Sequence, residues 1–276
     1  MNFYNILRQL AEVDSDALGR LDSRRAVFSS FGTMAKRTAQ ASLPVLLASY
    51  FQKAYAQTST ASPVDVLNYA LTLEYLEADF YKKVQSSPLF VTASSADQAA
   101  INQISKHEAS HVNLLVTVIK AIGGTPIAPV AFKTSTFATL TSFAAQLQVA
   151  QLLEDTGVRA YKGRATDLQG LGNITLGGTA YNPLETALRI HSVEARHAAH
   201  IRTMRMPMQT PWISGTGDLD GQPNYQGATP ESNVTQAGFD LTSALGKSYP
   251  AADVAAAFDE ILTPSETLNL AGPLIQ

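Results

Sequence analysis

The sequence predicts an all-α protein, a four-helix bundle followed by a loop-rich C-terminal extension. Four long segments repeat apolar residues at helical spacing, and capping residues, Gly or Pro bound them. The alternation of apolar and polar residues that is typical of strands is missing from the chain. Helices of about 24 residues extend over roughly 35 Å, which is the length of bundle helices.

The first, second and fourth predicted helices begin at Ser or Asn residues, whose side chains can accept hydrogen bonds from the first helical turn. Pro follows the cap in the first and fourth helices, at a position where its missing N–H costs little. Gly123-Gly124 favours the left-handed turn that ends the second helix. The Gly- and Pro-interrupted stretch over 123–134 predicts a long, extended crossover between helices two and three. The predicted ranges are about 63–85, 95–122, 136–168 and 183–205.

Three domains follow from this pattern. Residues 57–206 contain the bundle. Residues 207–276 form an extension rich in Gly, Pro, Asn and Thr, with one helical patch near 250–262, that is expected to pack on the bundle. Residues 1–56 are predicted to be an export signal.

The predicted signal has three parts in order. Arg24-Arg25 precedes a mildly apolar stretch without acidic residues, and Ala-Tyr-Ala follows at 54–56. This layout resembles a twin-arginine signal, which indicates an exported, periplasmic or extracytoplasmic protein. The alternative is a surface helix that happens to contain two adjacent arginines.

Composition excludes several classes of protein. The chain has no Cys, so disulfides, iron–sulfur clusters, zinc–thiolate sites and thiol nucleophiles are excluded together. A formal net charge of −3 gives no electrostatic basis for binding nucleic acid. The apolar run over 43–51 is too short to cross a bilayer, and no stable membrane span is expected.

Helices two and four carry the same motif, in which a Glu precedes a His by three residues. The pairs are Glu108–His111 and Glu194–His197, and apolar residues recur around them at identical spacings. Each pair therefore points from an otherwise apolar stripe into the core. Burying these groups unpaired is costly, and a metal ion would neutralise them. Imidazole together with carboxylate suits iron, manganese or zinc.

Helices one and three each supply a single carboxylate on an apolar stripe. Glu74 and Glu154 are both followed seven residues later by a tyrosine, Tyr81 and Tyr161 respectively. Glu77 also has apolar neighbours and is the rival ligand, but the shared spacing favours Glu74. The order Glu, Glu-x2-His, Glu, Glu-x2-His predicts a dinuclear metal site. The alternative is a pair of core histidines with carboxylate partners and no metal.

Other polar side chains are candidates for contacts with the ligands. Tyr81 and Tyr161 could hydrogen-bond to the ligands or carry a redox equivalent, although core packing is the simpler interpretation. His191 and His200 lie three residues on either side of the fourth-helix pair, and they either orient ligands or have no role. His107 is predicted to lie on the surface.

The segments around these residues resemble the ferritin-like family that includes the plant desiccation-related proteins and many exported bacterial homologues. They are ALTLEYLEADFY (70–81), HEASHVNLL (107–115), LLEDTGVRAYKG (152–163) and SVEARHAAHIR (192–202). The resemblance implies a ferritin-like four-helix bundle with a long crossover, holding two Fe or Mn ions. It also implies terminal carboxylates at Glu74 and Glu154, bridging carboxylates at Glu108 and Glu194, and imidazole ligands at His111 and His197.

Two carboxylate-bridged metals can exchange two electrons with O₂ or peroxide. The first functional hypothesis is therefore a stress-protective oxidoreductase of the ferroxidase, peroxidase or catalase type. The alternatives are a non-catalytic, metal-stabilised stress or envelope protein and an iron-storage protein. The chain could form a homodimer. Without metal, four converging carboxylates cannot all stay ionised, so we expect Glu108→Gln to stabilise the metal-free protein.

Overall fold

The computed structural model describes residues 61–205, 210–213, 221–243 and 248–276. The export signal predicted over 1–56 lies outside them. The described residues form helices α1 (Pro63–Ser86), α2 (Ser95–Ala121), α3 (Thr134–Phe137), α4 (Phe143–Arg164), α5 (Pro183–Arg205), α6 (Ala251–Ala255) and α7 (Pro264–Ala271), and strands β1 (Ile174–Leu176), β2 (Thr179–Tyr181), β3 (Thr235–Gln236) and β4 (Phe239–Asp240).

Helices α1, α2, α4 and α5 form the predicted bundle, which confirms the all-α class. Helix α1 packs on α2, α4 packs on α5, and the two pairs meet through α1 and α4. Two apolar clusters fill the core, and all four bundle helices contribute residues to both. Helix α2 runs from Ile101 in the first cluster to Val118 in the second, whereas α5 runs from Ile190 in the second to Ile201 in the first. These two helices are therefore antiparallel.

Side-chain caps explain where the bundle helices begin. Ser62 and Asp65 form a reciprocal capping box at α1. The hydroxyl of Ser94 accepts a 3.1 Å hydrogen bond from the backbone of Asp97 at α2. The side chain of Asn182 accepts one of 3.0 Å from the backbone of Glu185 at α5. Each cap satisfies a backbone N–H that has no partner inside its helix.

The third bundle helix is shorter than predicted. Instead of one helix from Thr136 to Leu168, the structure has the four-residue α3, a non-helical stretch and then α4, and residues 165–168 form a 3₁₀ turn. Ser142 begins α4, since its hydroxyl accepts a 3.1 Å hydrogen bond from the backbone of Ala145. Phe137 and Leu140 continue the apolar spacing across the break because both pack on the same core cluster.

The described residues also contain four short strands that the sequence did not predict. Strands β1 and β2 form one antiparallel hairpin, and β3 and β4 form another. In the first hairpin Gly177 and Gly178 both have positive φ, as its two-residue turn requires. Strands of two or three residues are too short to produce a detectable alternation, which explains the error.

The described part of the C-terminal extension packs against α4. Arg159 is fully buried, and its guanidinium donates hydrogen bonds to five backbone carbonyls of the extension, among them those of Thr229 at 2.6 Å and Ile261 at 3.0 Å. It also forms a 2.8 Å ion pair with Glu231. A Cβ atom at Gly163 would lie 2.2 Å from the carbonyl oxygen of Leu262, so this close approach requires glycine.

The described part of the extension contains one helix that was predicted and one that was not. Helix α6 falls within the predicted patch at 250–262, whereas α7 was missed although Thr263 and Glu266 form a capping box at its start. The chain ends beside the crossover, where Phe132 and Ile275 form an isolated antiparallel bridge. Among the described residues, no helix is long and apolar enough to cross a membrane.

Candidate metal centre

The six residues predicted to bind metal lie together in the middle of the bundle. All four carboxylates are fully buried, and the two histidines are 5% and 8% exposed. Their ligand atoms form two groups, and within each group all atoms lie within 4.8 Å of one another. The first group is Glu74, Glu108, His111 and Glu194, and the second is Glu108, Glu154, Glu194 and His197. Two carboxylates, those of Glu108 and Glu194, therefore belong to both groups.

His111 faces three carboxylates with one ring nitrogen. Its Nδ1 lies 3.2 Å from Glu74 Oε2, 3.2 Å from Glu108 Oε2 and 3.1 Å from Glu194 Oε1. A ring nitrogen carries at most one hydrogen, so it cannot donate along all three directions. The arrangement is the one expected if a cation occupied the space between them.

His197 repeats this geometry in the second group. Its Nδ1 lies 3.0 Å from Glu108 Oε1, 3.1 Å from Glu154 Oε2 and 4.0 Å from Glu194 Oε2. The two halves are thus related by an approximate two-fold arrangement. Helices α1 and α2 supply one unshared carboxylate and one imidazole, and α4 and α5 supply the other pair.

The tyrosines pair with the carboxylates reciprocally across the bundle. The hydroxyl of Tyr81 donates to Glu154, and that of Tyr161 donates to Glu74. Each tyrosine therefore contacts the glutamate of the opposite helix, and not the one seven residues before it. This exchange requires α1 and α4 to run antiparallel. Burial is the main cause that raises the pKa of each hydroxyl, and the carboxylate that the tyrosine faces raises it further. Both hydroxyls therefore stay protonated and act as donors.

The two histidines and Glu108 form the ionised part of the metal-free cluster. Burial by itself lowers the pKa of both imidazoles, but the surrounding carboxylates outweigh it and raise the pKa of His197 to about 9 and that of His111 further. Burial would raise the pKa of Glu108, yet the contacts with both histidines lower it to about 2. Glu108 is therefore the carboxylate that the imidazoles compensate.

Other carboxylates of the cluster are shifted in the opposite direction. Burial raises the pKa of Glu74 to about 7, although its contact with His111 opposes the shift. Burial and the neighbouring carboxylates raise the pKa of Glu194 and Glu77 well above the usual range. These shifts oppose the expectation that Glu108→Gln stabilises the metal-free protein, because Glu108 contacts both imidazoles, and they favour Glu194 as the shared carboxylate that resists ionisation.

The donor set fits a divalent transition metal. Three buried carboxylate oxygens of the cluster, Glu108 Oε1 and both oxygens of Glu194, have no hydrogen-bond partner among the described residues, since the nearby ring nitrogens do not meet them in hydrogen-bond geometry. Buried acceptors without donors are costly and rare. Cations would satisfy them, and mixed carboxylate and imidazole ligands suit iron and manganese.

Glu77 is a fifth buried carboxylate beside the cluster. It is 3% exposed but belongs to neither of the two groups of ligand atoms. Its rival Glu74 belongs to the first group. The position in α4 that corresponds to it, three residues after Glu154, is Gly157. A Cβ atom at Gly157 would lie 3.4 Å from Glu77 Oε1 and 3.5 Å from Glu194 Oε2. The side chain of Glu77 therefore breaks the approximate symmetry of the centre.

The remaining histidines differ from their predicted positions. His107 was expected on the surface, but its Nδ1 lies 2.9 Å from His197 Nε2 and the two rings stack. The sequence contains a signal for this position, because His107 precedes His111 by four residues and this spacing places both histidines on one helix face. His200 is exposed and His191 is partly buried, and among the described residues neither side chain hydrogen-bonds to the six clustered ones.

An antiparallel four-helix bundle with paired Glu-x2-His helices and two further glutamates defines the class of carboxylate-bundle proteins. The model of the ferritin-like domain family matches residues 62–207, which is more than half of the chain. The protein therefore belongs to the ferritin-like domain family. A comparison with curated proteins finds no match.

Proposed function

We propose that the protein binds two iron or manganese ions in this centre and uses them for redox chemistry with O₂ or peroxide in stress protection. The observation that carries the proposal is the sharing of Glu108 and Glu194 between the two groups of ligand atoms. A carboxylate with one oxygen near each histidine can bridge two cations. The proposed ligands are the six clustered residues, with Glu74 and Glu154 terminal.

Bound in this way, the two metals would supply the exchange of two electrons with an oxygen species. The chain's own side chains prepare the site for this use. Nδ1 of His111 and of His197 must lose its proton to offer a lone pair, so metal binding and release of protons are coupled. Tyr161 and Tyr81 each hold one terminal carboxylate by a hydrogen bond, which leaves its second oxygen directed at a histidine.

The surroundings of the cluster favour redox chemistry over simple storage of metal. Apolar clusters lie on both sides of the centre along α2 and α5, with Ile104 and Leu115 flanking Glu108 and His111. Such walls limit the access of water, which protects reactive oxygen species from side reactions.

Metal analysis of histidine variants tests the proposal. Purified protein is loaded anaerobically with Fe(II) or Mn(II), and the bound metal is counted by elemental analysis and native mass spectrometry. Wild type is expected to bind two ions per chain, and His111→Ala and His197→Ala are each expected to lose about one. His200→Ala is the matched control, because this histidine is exposed on the same helix as His197.

Redox function is tested on the loaded protein. Exposure to O₂ or peroxide should consume the oxidant in proportion to the bound metal, and both histidine variants should lose this consumption. Two ions in either histidine variant would refute the ligand assignment. Redox-inert bound metal would indicate a structural role, and a large multi-subunit shell would indicate iron storage, whereas a homodimer is compatible with the enzyme.

We further propose that the protein acts outside the cytoplasm, since residues 1–56 have the layout of a twin-arginine signal. That pathway carries folded proteins, so the centre would be loaded with metal before export. Relationship to the desiccation-related subgroup is likewise a proposal that rests on the sequence segments given above.

A further inference from the structure

A cavity of about 140 Å³ lies between α1, α4 and the C-terminal extension. Aliphatic side chains form most of its walls. Leu73 and Leu76 come from α1, Leu153 from α4, and Ala271 and Leu274 from the end of the chain. The extension therefore covers part of a groove between two bundle helices and leaves a partly open cavity.

The cavity reaches the carboxylate cluster. Glu77 and Gly157 both line it. A Cβ atom at Gly157 would contact the carboxylates of Glu77 and Glu194. Three other polar side chains line the cavity: Thr156 and Asn224 both donate to the carbonyl of Leu152, and Gln222 belongs to the extension on the opposite side from α1. The carboxyl group of Glu77 is thus the polar group presented on the side nearest the centre.

The size and lining of the cavity define what it can hold. Protein cores are close-packed, and voids larger than a water molecule are few. An apolar cavity of roughly 150 Å³ in another protein stays dry and takes up benzene or xenon. A charged or strongly hydrated molecule would lose its hydration without gaining equivalent partners among leucine side chains.

We propose that this cavity is a binding site for a small, uncharged, mainly apolar molecule of up to about the size of benzene. The carboxyl of Glu77 faces the end of the molecule nearest the centre, and the extension forms the opposite wall. Binding in the cavity needs no metal. Its use as the substrate pocket of the dinuclear centre rests on the function proposed above.

Xenon and benzene are the probes for a test on metal-free, full-length protein. Crystals pressurised with xenon are expected to show xenon between Leu76 and Ala271, and benzene is expected to raise the melting temperature in a saturable way. Ala271→Leu should abolish xenon occupancy and weaken benzene binding at least tenfold, because the larger side chain fills the cavity from the extension. Ala257→Leu is the control, since it makes the same change at an exposed position of the extension.

The outcomes separate this proposal from the preceding one. Lack of xenon and benzene binding by wild type would overturn the cavity assignment even if Ala271→Leu did not fold. Equal benzene affinity of Ala271→Leu and wild type would also overturn the cavity assignment. Binding of benzene by a protein that takes up no iron or manganese would support the cavity and refute the dinuclear function. In the loaded protein, benzene should slow O₂ consumption by wild type, and an unchanged rate would refute its role as the substrate pocket.

Discussion

Removal of the metal should make the stability of the protein depend on pH in a specific direction. In the metal-free cluster the pKa of Glu74 rises to about 7 because of burial, against an ordinary value of 4.5. The folded state therefore holds a proton that the unfolded state releases between pH 4.5 and 7. Stability is consequently highest at acidic pH and falls as the pH rises through this interval.

The magnitude follows from the size of the shift. Each pKa unit corresponds to about 1.4 kcal/mol, so ionising Glu74 lowers the free energy of unfolding by ~3 kcal/mol between pH 4.5 and 7. His197 acts in the same direction at higher pH. Its pKa is raised to about 9, so the stabilisation from its proton is complete below about 6.5 and is lost as the pH rises to 9.

Urea unfolding of chelator-treated protein between pH 5 and 9 measures this dependence. Glu74→Gln should flatten the curve of the metal-free protein by ~2 kcal/mol between pH 5 and 7. Glu185→Gln, which changes an exposed glutamate of α5, should leave the curve unaltered. Metal-loaded protein should be more stable, by about 4 kcal/mol at a thousandfold excess of metal over Kd. Coincident curves with and without metal, or a metal-free protein that gains stability from pH 5 to 7, would refute the buried cluster.

Three further predictions concern other parts of the chain. Glu108→Gln should destabilise the metal-free protein at pH 7 by ~3 kcal/mol, whereas Glu194→Gln should stabilise it. Equal effects of the two variants in urea unfolding would contradict the assignment of Glu108 as ionised and Glu194 as protonated. Arg159→Ala should cost ~3–5 kcal/mol and speed proteolytic cleavage within 221–243, because Glu231 loses its buried partner. Replacing Arg24-Arg25 by two lysines should leave a folded precursor inside the cell, and unchanged export in fractionation would exclude a twin-arginine signal.

Local spacing was enough to predict the bundle and the residues that meet in its core. A Glu and a His three residues apart share a helix face whatever the helix packs against, and apolar flanks direct that face inward. The start of α4 was missed because Phe137 and Leu140 continue the apolar spacing across a non-helical stretch. The hairpins were missed because their strands contain only two or three residues.

The sequence by itself determined the helices, their apolar faces and the repeated order of glutamate and histidine, since all of these depend on residues within a few turns of one another. The tertiary structure alone decided how the glutamates differ. Glu108 lies 3.2 Å from His111 and 3.0 Å from His197 and stays ionised, whereas Glu194 is close to His111 alone and the neighbouring carboxylates raise its pKa, although the two have the same motif and flanks. The exchange of tyrosines between α1 and α4 and the cavity beside Glu77 likewise depend on distances between residues far apart in the chain. Charge interactions and packing act through space, so local spacing does not encode them.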